Sequence, residues 1–211
     1  MKIFIVGLPK SGRTTVAQQL VHELIQERFN PRGLKCFYLG AMDWIKNTFR
    51  TQSYGETSEQ FNEEYHNYLI NRLQNNPDIV ISNLLESICS LENQAQGHKC
   101  NWVIDGIVSP RDFCRLFDYN QDVVVFLNRT DSELNAQDYE SIGVSVMRDY
   151  CFWLASANLL SKPRWIEYNF KIPGEHSDSV KTLGSKNSVF IVKSIDKVID
   201  HLVGLVTKLL G

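Results

Sequence analysis

The sequence of 211 residues predicts an α/β fold in which a parallel sheet of about five strands has helices on both faces. Short apolar runs, typical of buried strands, alternate with longer segments of helical periodicity along the whole chain. The first of these runs, Ile3 to Val6, leads through a glycine-containing loop into an amphipathic segment. Because no repeat or linker interrupts the alternation, we expect a single domain over residues 1–211.

The first half of the chain begins with a strand and a helix. After the apolar run, the segment from Lys35 to Leu39 is predicted to be a second strand that ends at Gly40. Helices are predicted over Ser58 to Leu73 and after Asn76-Pro77, a pair interpreted as an N-cap followed by proline at the first helical position. The first helix is predicted from six apolar positions at helical spacing: Val16, Ala17, Leu20, Val21, Leu24 and Ile25.

The second half repeats the alternation. Short apolar runs bounded by turn residues predict strands from Trp102 to Ile104, from Val123 to Leu127 and from Val189 to Val192. The segment from Trp165 to Ile172 alternates like a strand or a hairpin arm. Two helical patterns complete the chain: Tyr139 to Leu160, and a final amphipathic helix capped by Ser194.

The loop after the first strand has the spacing of a phosphate-binding P-loop. Glycines are needed where the backbone turns sharply and approaches an anion, and the following helix directs its free N–H groups at the phosphates. Strand, loop and helix in this order predict a three-layer P-loop NTPase fold that binds ATP or GTP. The predicted nucleotide-binding residues are Gly7, Lys10, Ser11, Gly12, Arg13, Thr14 and Thr15.

One position departs from the motif, because Arg13 stands where the motif has lysine. A guanidinium is always charged and grips phosphate oxygens, but it is larger and planar, whereas an ammonium is a compact point charge. We therefore expect nucleotide binding to be retained and turnover to fall. Lys10, inside the loop, is a second cation within reach of a phosphate, and a solvated loop lysine is the alternative interpretation.

A carboxylate follows the predicted strand at residues 102–104. Asp105 precedes Gly106 at the carboxyl end of this strand, the edge at which parallel sheets bind ligands. Metal chemistry at a nucleotide site needs such an acid, beside the loop hydroxyl of Thr14, to hold Mg²⁺. We predict Thr14 and Asp105 as the metal ligands, with a simple turn aspartate as the alternative for Asp105.

The composition argues against several classes of protein. Hydrophobic residues make up 43% of the chain and charged residues 22%, and a net charge of −2 gives no basic footprint for nucleic acid. The five cysteines form no close pairs, which argues against a disulfide framework and a zinc site. No apolar run approaches the roughly 18 residues of a membrane-spanning helix, and the N-terminus lacks a secretory signal pattern. We expect a cytoplasmic protein without a membrane partner, its oligomeric state left open.

The Asp105-Gly106 turn is followed after three residues by Pro110-Arg111. With the loop, this turn resembles the small P-loop kinases of the nucleotide and nucleoside kinase superfamily, the group that includes adenylate kinase. The resemblance implies that Arg111 binds a substrate phosphate, and that Arg129 and Arg148 close over the phosphoryl group. It further implies a catalytic set of Lys10, Arg13, Asp105, Arg111 and Arg129.

The same resemblance implies a function. It predicts a phosphotransferase that moves the γ-phosphoryl group of ATP or GTP, with Mg²⁺, to a small acceptor such as a nucleoside monophosphate or a nucleoside. Residues from about 40 to 95 correspond to the acceptor-binding segment, and residues from about 129 to 160 to a helical lid. Within the acceptor segment, Asp43 is interpreted as a helix N-cap, with orientation of a substrate hydroxyl as the alternative.

Three other functions have some support in the sequence, and the second of them, a GTPase, is discounted because of its spacing. Pro9-Lys10-Ser11-Gly12 resembles the phosphosulfate loop of sulfotransferases, which bind adenosine 3′-phosphate 5′-phosphosulfate, although Arg13 is an insertion relative to that pattern. The segment Asn128 to Asp131 resembles the guanine-specificity motif of GTPases but follows Asp105 too closely. A non-catalytic nucleotide-binding protein derived from a kinase is the third, favoured by the arginine at position 13.

Overall fold

The computed structural model describes eight stretches of the chain: residues 1–8, 11–26, 35–52, 58–128, 139–156, 165–170, 188–192 and 194–210. Its strands and helices confirm the predicted α/β fold class. Within these stretches, no helix is both long and apolar enough to cross a membrane.

The described strands form one sheet. They are β1 (Lys2–Gly7), β2 (Lys35–Gly40), β3 (Cys100–Asp105), β4 (Val123–Asn128), β5 (Trp165–Phe170) and β6 (Ser188–Val192). The sheet has the order β2-β3-β1-β4-β5-β6, and every neighbouring pair is parallel. The described part of the chain thus has six strands where about five were expected. The parallel pairing of β5 with both neighbours excludes the hairpin interpretation.

The register aligns the carboxyl ends of the central strands. Asp105 is the Cα partner of Ile5 in β1 and of Gly40 in β2, while Gly7 pairs with Leu127 of β4. The ends of β1, β2, β3 and β4 therefore meet along one border of the sheet, called the carboxyl edge below. Ligands of such sheets bind at this edge, outside the strand ends.

Helices cover both faces of the sheet. The described helices are α1 (Arg13–Leu24), α2 (Asp43–Gln52), α3 (Ser58–Asn75), α4 (Ile79–Gln94), α5 (Pro110–Leu116), α6 (Tyr139–Ser156) and α7 (Ile195–Leu210). Side chains of α1 and α7 pack in one apolar core, and those of α2 to α6 pack in the other. β1 lies between the two cores, since Phe4 faces one and Ile5 the other. Burial on both faces explains why β1 is apolar from Ile3 to Val6.

The start of α4 differs from the prediction. The helix begins at Ile79 with Asp78 as its N-cap residue, so the interpretation of Asn76-Pro77 as N-cap and first helical residue is wrong. The side-chain oxygen of Asn76 instead accepts a 3.2 Å hydrogen bond from the backbone N–H of Asp78. Asn side chains favour such local bonds in turns, which leaves Pro77 in the turn before the helix.

The predicted lid falls only partly on described residues. α6 forms its middle, while residues 129–138 and 157–160 lie outside the described stretches. α6 packs on the sheet through four buried side chains: Val144, Met147, Cys151 and Leu154. The lid, the acceptor-binding segment and the division into a single domain stay predictions.

Candidate active site

The loop between β1 and α1 depends on glycine at both of its ends. A Cβ on Gly7 would overlap Ser11 Oγ and lie 3.0 Å from the carbonyl oxygen of Leu127. Gly12 has a φ of 89°, in the left-handed region, and a Cβ there would lie 2.6 Å from Ile195 Cδ1. Larger residues at these positions would force the loop away from β4 or α7. Sterics therefore explain the two glycines that the sequence motif singles out.

Ser11 lies at the centre of this loop. Its backbone N–H donates a 3.0 Å hydrogen bond to the carbonyl oxygen of Leu8. Its side chain is fully buried, and Oγ has no hydrogen-bond partner among the described residues. A buried hydroxyl without a partner costs free energy, so the loop holds an unused hydrogen-bonding group where the motif predicts a phosphate. Thr15, by contrast, is exposed in the first turn of α1, and Lys10 lies outside the described residues.

Arg13 reaches back across the loop. Its Nη1 donates a 3.1 Å hydrogen bond to the carbonyl oxygen of Gly7 at the end of β1. Burial raises the pKa of Asp105, and the charge of the Arg13 guanidinium partly opposes that rise. Arg13 therefore lies between the loop backbone and the carboxylate of β3, with at least one of its donors used by the protein itself.

Thr14 and Asp105 meet beneath the loop. The Thr14 hydroxyl donates a 2.6 Å hydrogen bond to Asp105 Oδ2, across 91 positions of sequence. Asp105 is almost completely buried, and this burial raises the pKa of its carboxyl group. The hydrogen bond from Thr14 and the charge of Arg13 oppose that rise. The structure thus brings the two predicted metal ligands into direct contact.

These two side chains fit a magnesium ion chemically. A hydroxyl and a carboxylate supply the hard oxygen ligands that Mg²⁺ prefers, and Mg²⁺ commonly keeps several waters and binds through one or two protein groups plus substrate phosphates. In the part of the chain that the structure describes, no group of three or more His, Cys, Asp or Glu side chains could hold a metal. The donor set therefore fits a nucleotide-bound magnesium better than a metal held in an all-protein cage.

A tyrosine extends this contact toward α2. Tyr38 Oη lies 3.2 Å from Asp105 Oδ1 and 3.2 Å from Asp43 Oδ2. Burial and the two carboxylates raise the pKa of Tyr38, so the phenol stays protonated and donates. α2 begins at Asp43 itself, so the interpretation of Asp43 as the N-cap is wrong; its carboxylate turns toward the phenol.

Arg111 lies at the start of α5 and takes part in an ion pair. Its Nη2 is 2.7 Å from Asp78 Oδ1, and Arg115 Nη1 is 2.9 Å from the same oxygen. All three side chains are substantially exposed to solvent. The charges of Arg111 and Arg115 also act on the buried carboxyl group of Asp112, so the cluster combines two guanidinium groups with two acidic side chains. The role of Arg111 as a phosphate ligand stays a prediction.

The resemblance implied that two other arginines, Arg129 and Arg148, close over the phosphoryl group, and the structure describes only the second of them. Arg129 lies outside the described residues. Arg148, on α6, donates a 2.8 Å hydrogen bond to Glu167 Oε1 of β5. Half of the Arg148 side chain is exposed, whereas the Glu167 side chain is 12% exposed. This ion pair ties α6 to the sheet and gives Arg148 a structural role.

Tyr38 is the site residue that sequence reasoning missed. It is one of several aromatic residues in short apolar runs, and nothing local distinguishes it from a packing residue. Its contact with Asp105 depends on the register in which Tyr38 is the Cα partner of Val103 and Gly40 that of Asp105. The alignment of β2 with β3 was the missing information, and a single sequence does not contain it.

A family model agrees with this geometry. The model, described as an AAA domain, matches residues 3–136 of the chain. The match includes the loop, Asp105 and Arg111, the residues on which the resemblance to P-loop kinases rests. A comparison with curated proteins gives no match.

Two solved structures of kinases align with almost the whole chain. Thymidylate kinase from Ehrlichia chaffeensis is 12% identical with a TM-score of 0.40, over 98% of this chain and 97% of that one. A sugar kinase from Janibacter sp. HTCC2649 is 14% identical with a TM-score of 0.38, over 97% of this chain and 93% of that one. Similarity at this level does not carry a substrate from one chain to another.

Proposed function

The chain belongs to the AAA domain family, and from this premise we propose that it transfers the γ-phosphoryl group of ATP or GTP to a small acceptor. The acceptor class is a nucleoside monophosphate or a nucleoside. The observation that carries the proposal is the contact of Thr14 with Asp105 directly beneath the loop. A hydroxyl and a buried carboxylate in this position are what a nucleotide-bound Mg²⁺ requires.

The loop supplies the nucleotide site. Ser11 Oγ, which has no hydrogen-bond partner among the described residues, supports this role, because a phosphate oxygen held in the loop would complete its hydrogen bonding. Gly7 and Gly12 let the backbone curve around the anion, and the first turn of α1, with Thr14 and Thr15, directs free N–H groups toward it. Lys10 is proposed as a second cation of the loop.

Thr14 and Asp105 would hold the magnesium ion. When bound, Mg²⁺ neutralises part of the charge on the phosphates that develops during transfer. The chain's own contribution is orientation: Asp105 is fixed by burial and by its hydrogen bonds, so its oxygens need little rearrangement to accept the ion.

Cationic side chains would stabilise the transferring group. Phosphoryl transfer needs little covalent chemistry from the protein and depends on positioning and on charge neutralisation. Arg13 lies between the loop and Asp105, and Arg111 lies at the start of α5 with a largely exposed side chain. We propose these two, with Lys10 and Arg129, as the residues that hold the phosphates.

A nucleotide-binding protein without catalytic activity is the second candidate. The bond from Arg13 to the carbonyl oxygen of Gly7 favours it, since a guanidinium engaged with the loop backbone follows a moving phosphoryl group less readily than a lysine ammonium. Both candidates predict nucleotide binding, and they differ only in transfer. We propose a cytoplasmic location for this chain under both candidate functions.

Thermal unfolding with a ligand panel tests binding. ATP and GTP, each with and without Mg²⁺, are compared with adenosine 3′-phosphate 5′-phosphosulfate. A ligand bound by the folded state alone raises the melting temperature in proportion to RT ln(1 + [L]/Kd). We expect ATP or GTP to raise the melting temperature in a magnesium-dependent way. A rise in melting temperature with adenosine 3′-phosphate 5′-phosphosulfate alone would favour the sulfotransferase interpretation.

Product detection by mass spectrometry then tests transfer. The bound nucleotide is incubated with nucleosides and nucleoside monophosphates, and phosphorylated acceptor is measured beside the nucleoside diphosphate. Binding without any phosphorylated product would support the non-catalytic candidate. Absence of binding by every nucleotide would overturn both.

A further inference from the structure

Helices α1 and α7 form the outer layer on one face of the sheet. They contact each other, and their inward side chains, among them Leu20 of α1 and Leu202 of α7, are fully buried in one apolar core. Both helices start at the carboxyl edge, because α1 follows β1 and α7 follows β6. They therefore run in the same direction and leave a groove between them on the side that faces away from the sheet.

This groove contains a cavity of about 400 Å³. Its apolar floor is formed by Ile199 and Val203, two neighbours on α7 that are almost completely buried. Ligand pockets in proteins have volumes of roughly 300–1,000 Å³. The cavity is therefore large enough to receive several side chains of a binding partner.

Gly204 widens the groove at one end of this floor. The residue is exposed in α7, and a Cβ there would meet no atom within 4 Å. Glycine inside a helix is less favourable than alanine, because it loses more conformational freedom on folding. For Gly143, the glycine of α6, a Cβ would lie 2.6 Å from the Cβ of Val108, so packing explains that residue. No such contact among the described residues explains Gly204, and its open surroundings leave room for a partner to approach the backbone of α7.

Acidic side chains border the cavity. Glu23 lies on the α1 side, and Asp196 and Asp200 lie one turn apart on the α7 side. The other polar side chains that line it among the described residues are Gln19 and His22. No lysine or arginine of the described stretches lines the cavity. Three carboxylates therefore set the charge that a partner meets at this border.

Two lysines of α7 lie near the groove. Lys197 Nζ is 3.7 Å from Asp200 Oδ2, and the two side chains are 70% and 73% exposed. An ion pair this exposed is weak, and salt screens it. Lys208 lies four residues beyond Gly204, about one helical turn away. The two lysines reduce the negative potential of the groove, but they do not cancel that of three carboxylates.

The floor and the border together specify the chemistry of a partner. A groove between two helices receives a third helix, whose apolar residues at helical spacing pack into it. Lysine and arginine side chains lay their apolar stems along such a floor and place their charges at its border. The three carboxylates attract these charges and repel an acidic helix. The groove therefore complements a helix that has one apolar face and basic flanks.

A second copy of this chain fits the groove poorly. Two-fold symmetry brings the same surface patch of both copies together. The carboxylates of Glu23, Asp196 and Asp200 would then face the same three carboxylates of the other copy, and like charges disfavour such contacts. The charge of the groove thus favours a different protein as its occupant.

We infer that the groove between α1 and α7 is the docking site for a basic amphipathic helix of a partner protein, with Gly204 allowing that helix to approach closely. None of the described residues that line the cavity belongs to the proposed nucleotide site. The inference therefore goes beyond the proposed function and does not depend on it.

Synthetic helical peptides test the charge and shape of the groove. Each has about 15 residues, roughly four helical turns. The first has leucine on one helical face and lysine elsewhere, the second has glutamate in place of lysine, and the third rearranges the first so that no face is apolar. Fluorescence anisotropy with the full chain measures each Kd. We expect the lysine peptide to bind at least about tenfold more tightly than the other two, and added salt to weaken it.

Substitutions in the groove test the location. Gly204→Leu fills the open space in α7 and is expected to weaken binding of the lysine peptide about tenfold or more. Asp196→Asn and Asp200→Asn should each weaken it about two- to fivefold, the effect of an exposed charge pair. Gly204→Ala should weaken binding while it raises the melting temperature. Weaker binding by a more stable protein cannot result from unfolding.

A double substitution on α4 is the matched control. Glu86→Gln with Glu92→Gln removes two exposed carboxylates from a helix on the opposite face of the sheet. It changes the net charge as much as Asp196→Asn with Asp200→Asn. Its affinity for the lysine peptide should equal that of the wild type. The magnesium-dependent thermal shift with ATP should be the same in the wild type and in all groove variants.

Several results would overturn the inference. They are equal affinity for the lysine and glutamate peptides, no binding of the lysine peptide, unchanged affinity in Gly204→Leu, and an equal loss in the α4 control. Sedimentation equilibrium of the wild type and Gly204→Leu tests the second copy as occupant. A dimer that forms only in the wild type would assign the groove to that copy and overturn the inference. None of these results bears on the proposed phosphotransferase function, which the nucleotide panel tests separately.

Discussion

The Thr14 hydroxyl donates a 2.6 Å hydrogen bond to Asp105 Oδ2 and so joins the start of α1 to the end of β3. β1, which leads into the loop before Thr14, and β3, which ends at Asp105, are direct neighbours in the sheet. Because Asp105 is nearly fully buried, its oxygens are oriented before any ligand arrives. This fixed pair of oxygens is the centre of the proposed site.

Removal of either oxygen should weaken the magnesium dependence of nucleotide binding. We expect Thr14→Ala and Asp105→Asn to lower the magnesium-dependent part of ATP affinity about tenfold each, which equals about 1.4 kcal/mol. Thermal unfolding at several Mg²⁺ concentrations measures this effect. Thr14→Ser keeps the hydroxyl and serves as the control. A full magnesium-dependent shift in Thr14→Ala would contradict the assignment.

Arg13 decides between the two candidate functions. If it takes the role of the motif lysine, Arg13→Ala should abolish phosphoryl transfer, because it removes the guanidinium that lies at the end of β1 and acts on Asp105. Arg13→Lys should retain or raise transfer, since an ammonium follows the phosphoryl group more easily. Product formation by wild type and both variants is measured with one acceptor panel. Inactivity of all three despite tight nucleotide binding would rule out the kinase assignment.

The ion pair between Arg148 and Glu167 should contribute to stability. Arg148→Met leaves the mostly buried Glu167 carboxylate without its partner, which is expected to lower the free energy of unfolding by about 1–3 kcal/mol. Urea unfolding of Arg148→Met, Glu167→Gln and the double variant measures the interaction energy between the two side chains. Lys197→Met is the control, because its pair with Asp200 is largely exposed and should change stability by less than about 0.5 kcal/mol. Equal losses for Arg148→Met and Lys197→Met would argue against a structural role for Arg148.

His201 should make stability fall at acidic pH. Burial and the charge of Lys208 lower its pKa below the ordinary 6.5, while its Nδ1 shares a 2.7 Å hydrogen bond with the buried Tyr168 hydroxyl. A lowered pKa means that the unfolded chain binds the proton more tightly. The contribution of neutral His201 to the free energy of unfolding is therefore complete above pH 6.5, and it is lost as the pH falls through the lowered pKa of His201. Urea unfolding between pH 7.5 and pH 5 gives the slope of the free energy of unfolding against pH, for the wild type and for His201→Gln, which has no imidazole to titrate. Identical slopes for the two proteins would exclude this role.

Two glycines with open surroundings should respond oppositely to alanine. A Cβ at Gly204, inside α7, or at Gly97, after α4, would meet no atom within 4 Å. Gly204→Ala should stabilise the protein by roughly 0.5–1 kcal/mol, because alanine loses less conformational freedom in a helix. Gly97→Ala should destabilise it, since Gly97 has a φ of 82° in the left-handed region. Thermal unfolding of the two variants compares them directly, and a shift in the same direction for both would contradict the argument.

The sequence alone determines the loop and most of the order of strands and helices, although it did not predict the helices α2 and α5. The spacing of Gly7 and Gly12 involves only residues that are close together in the sequence. The same is true of the apolar patterns on either side of the loop. Each therefore predicts its own element, and the structure confirms the α/β class that they imply together. The position of Asp105 at a strand end could also be predicted, because an apolar run stops there before a glycine.

Only the tertiary structure decides which of these strand ends meet and which charges pair. The contact of Tyr38 with Asp105 spans 67 positions and requires β2 and β3 to align so that Gly40 lies beside Asp105. The pairing of Arg111 with Asp78 likewise depends on how α4 and α5 pack over the sheet. Strand register and helix packing come from the joint burial of two cores, so no single segment contains the information that fixes them.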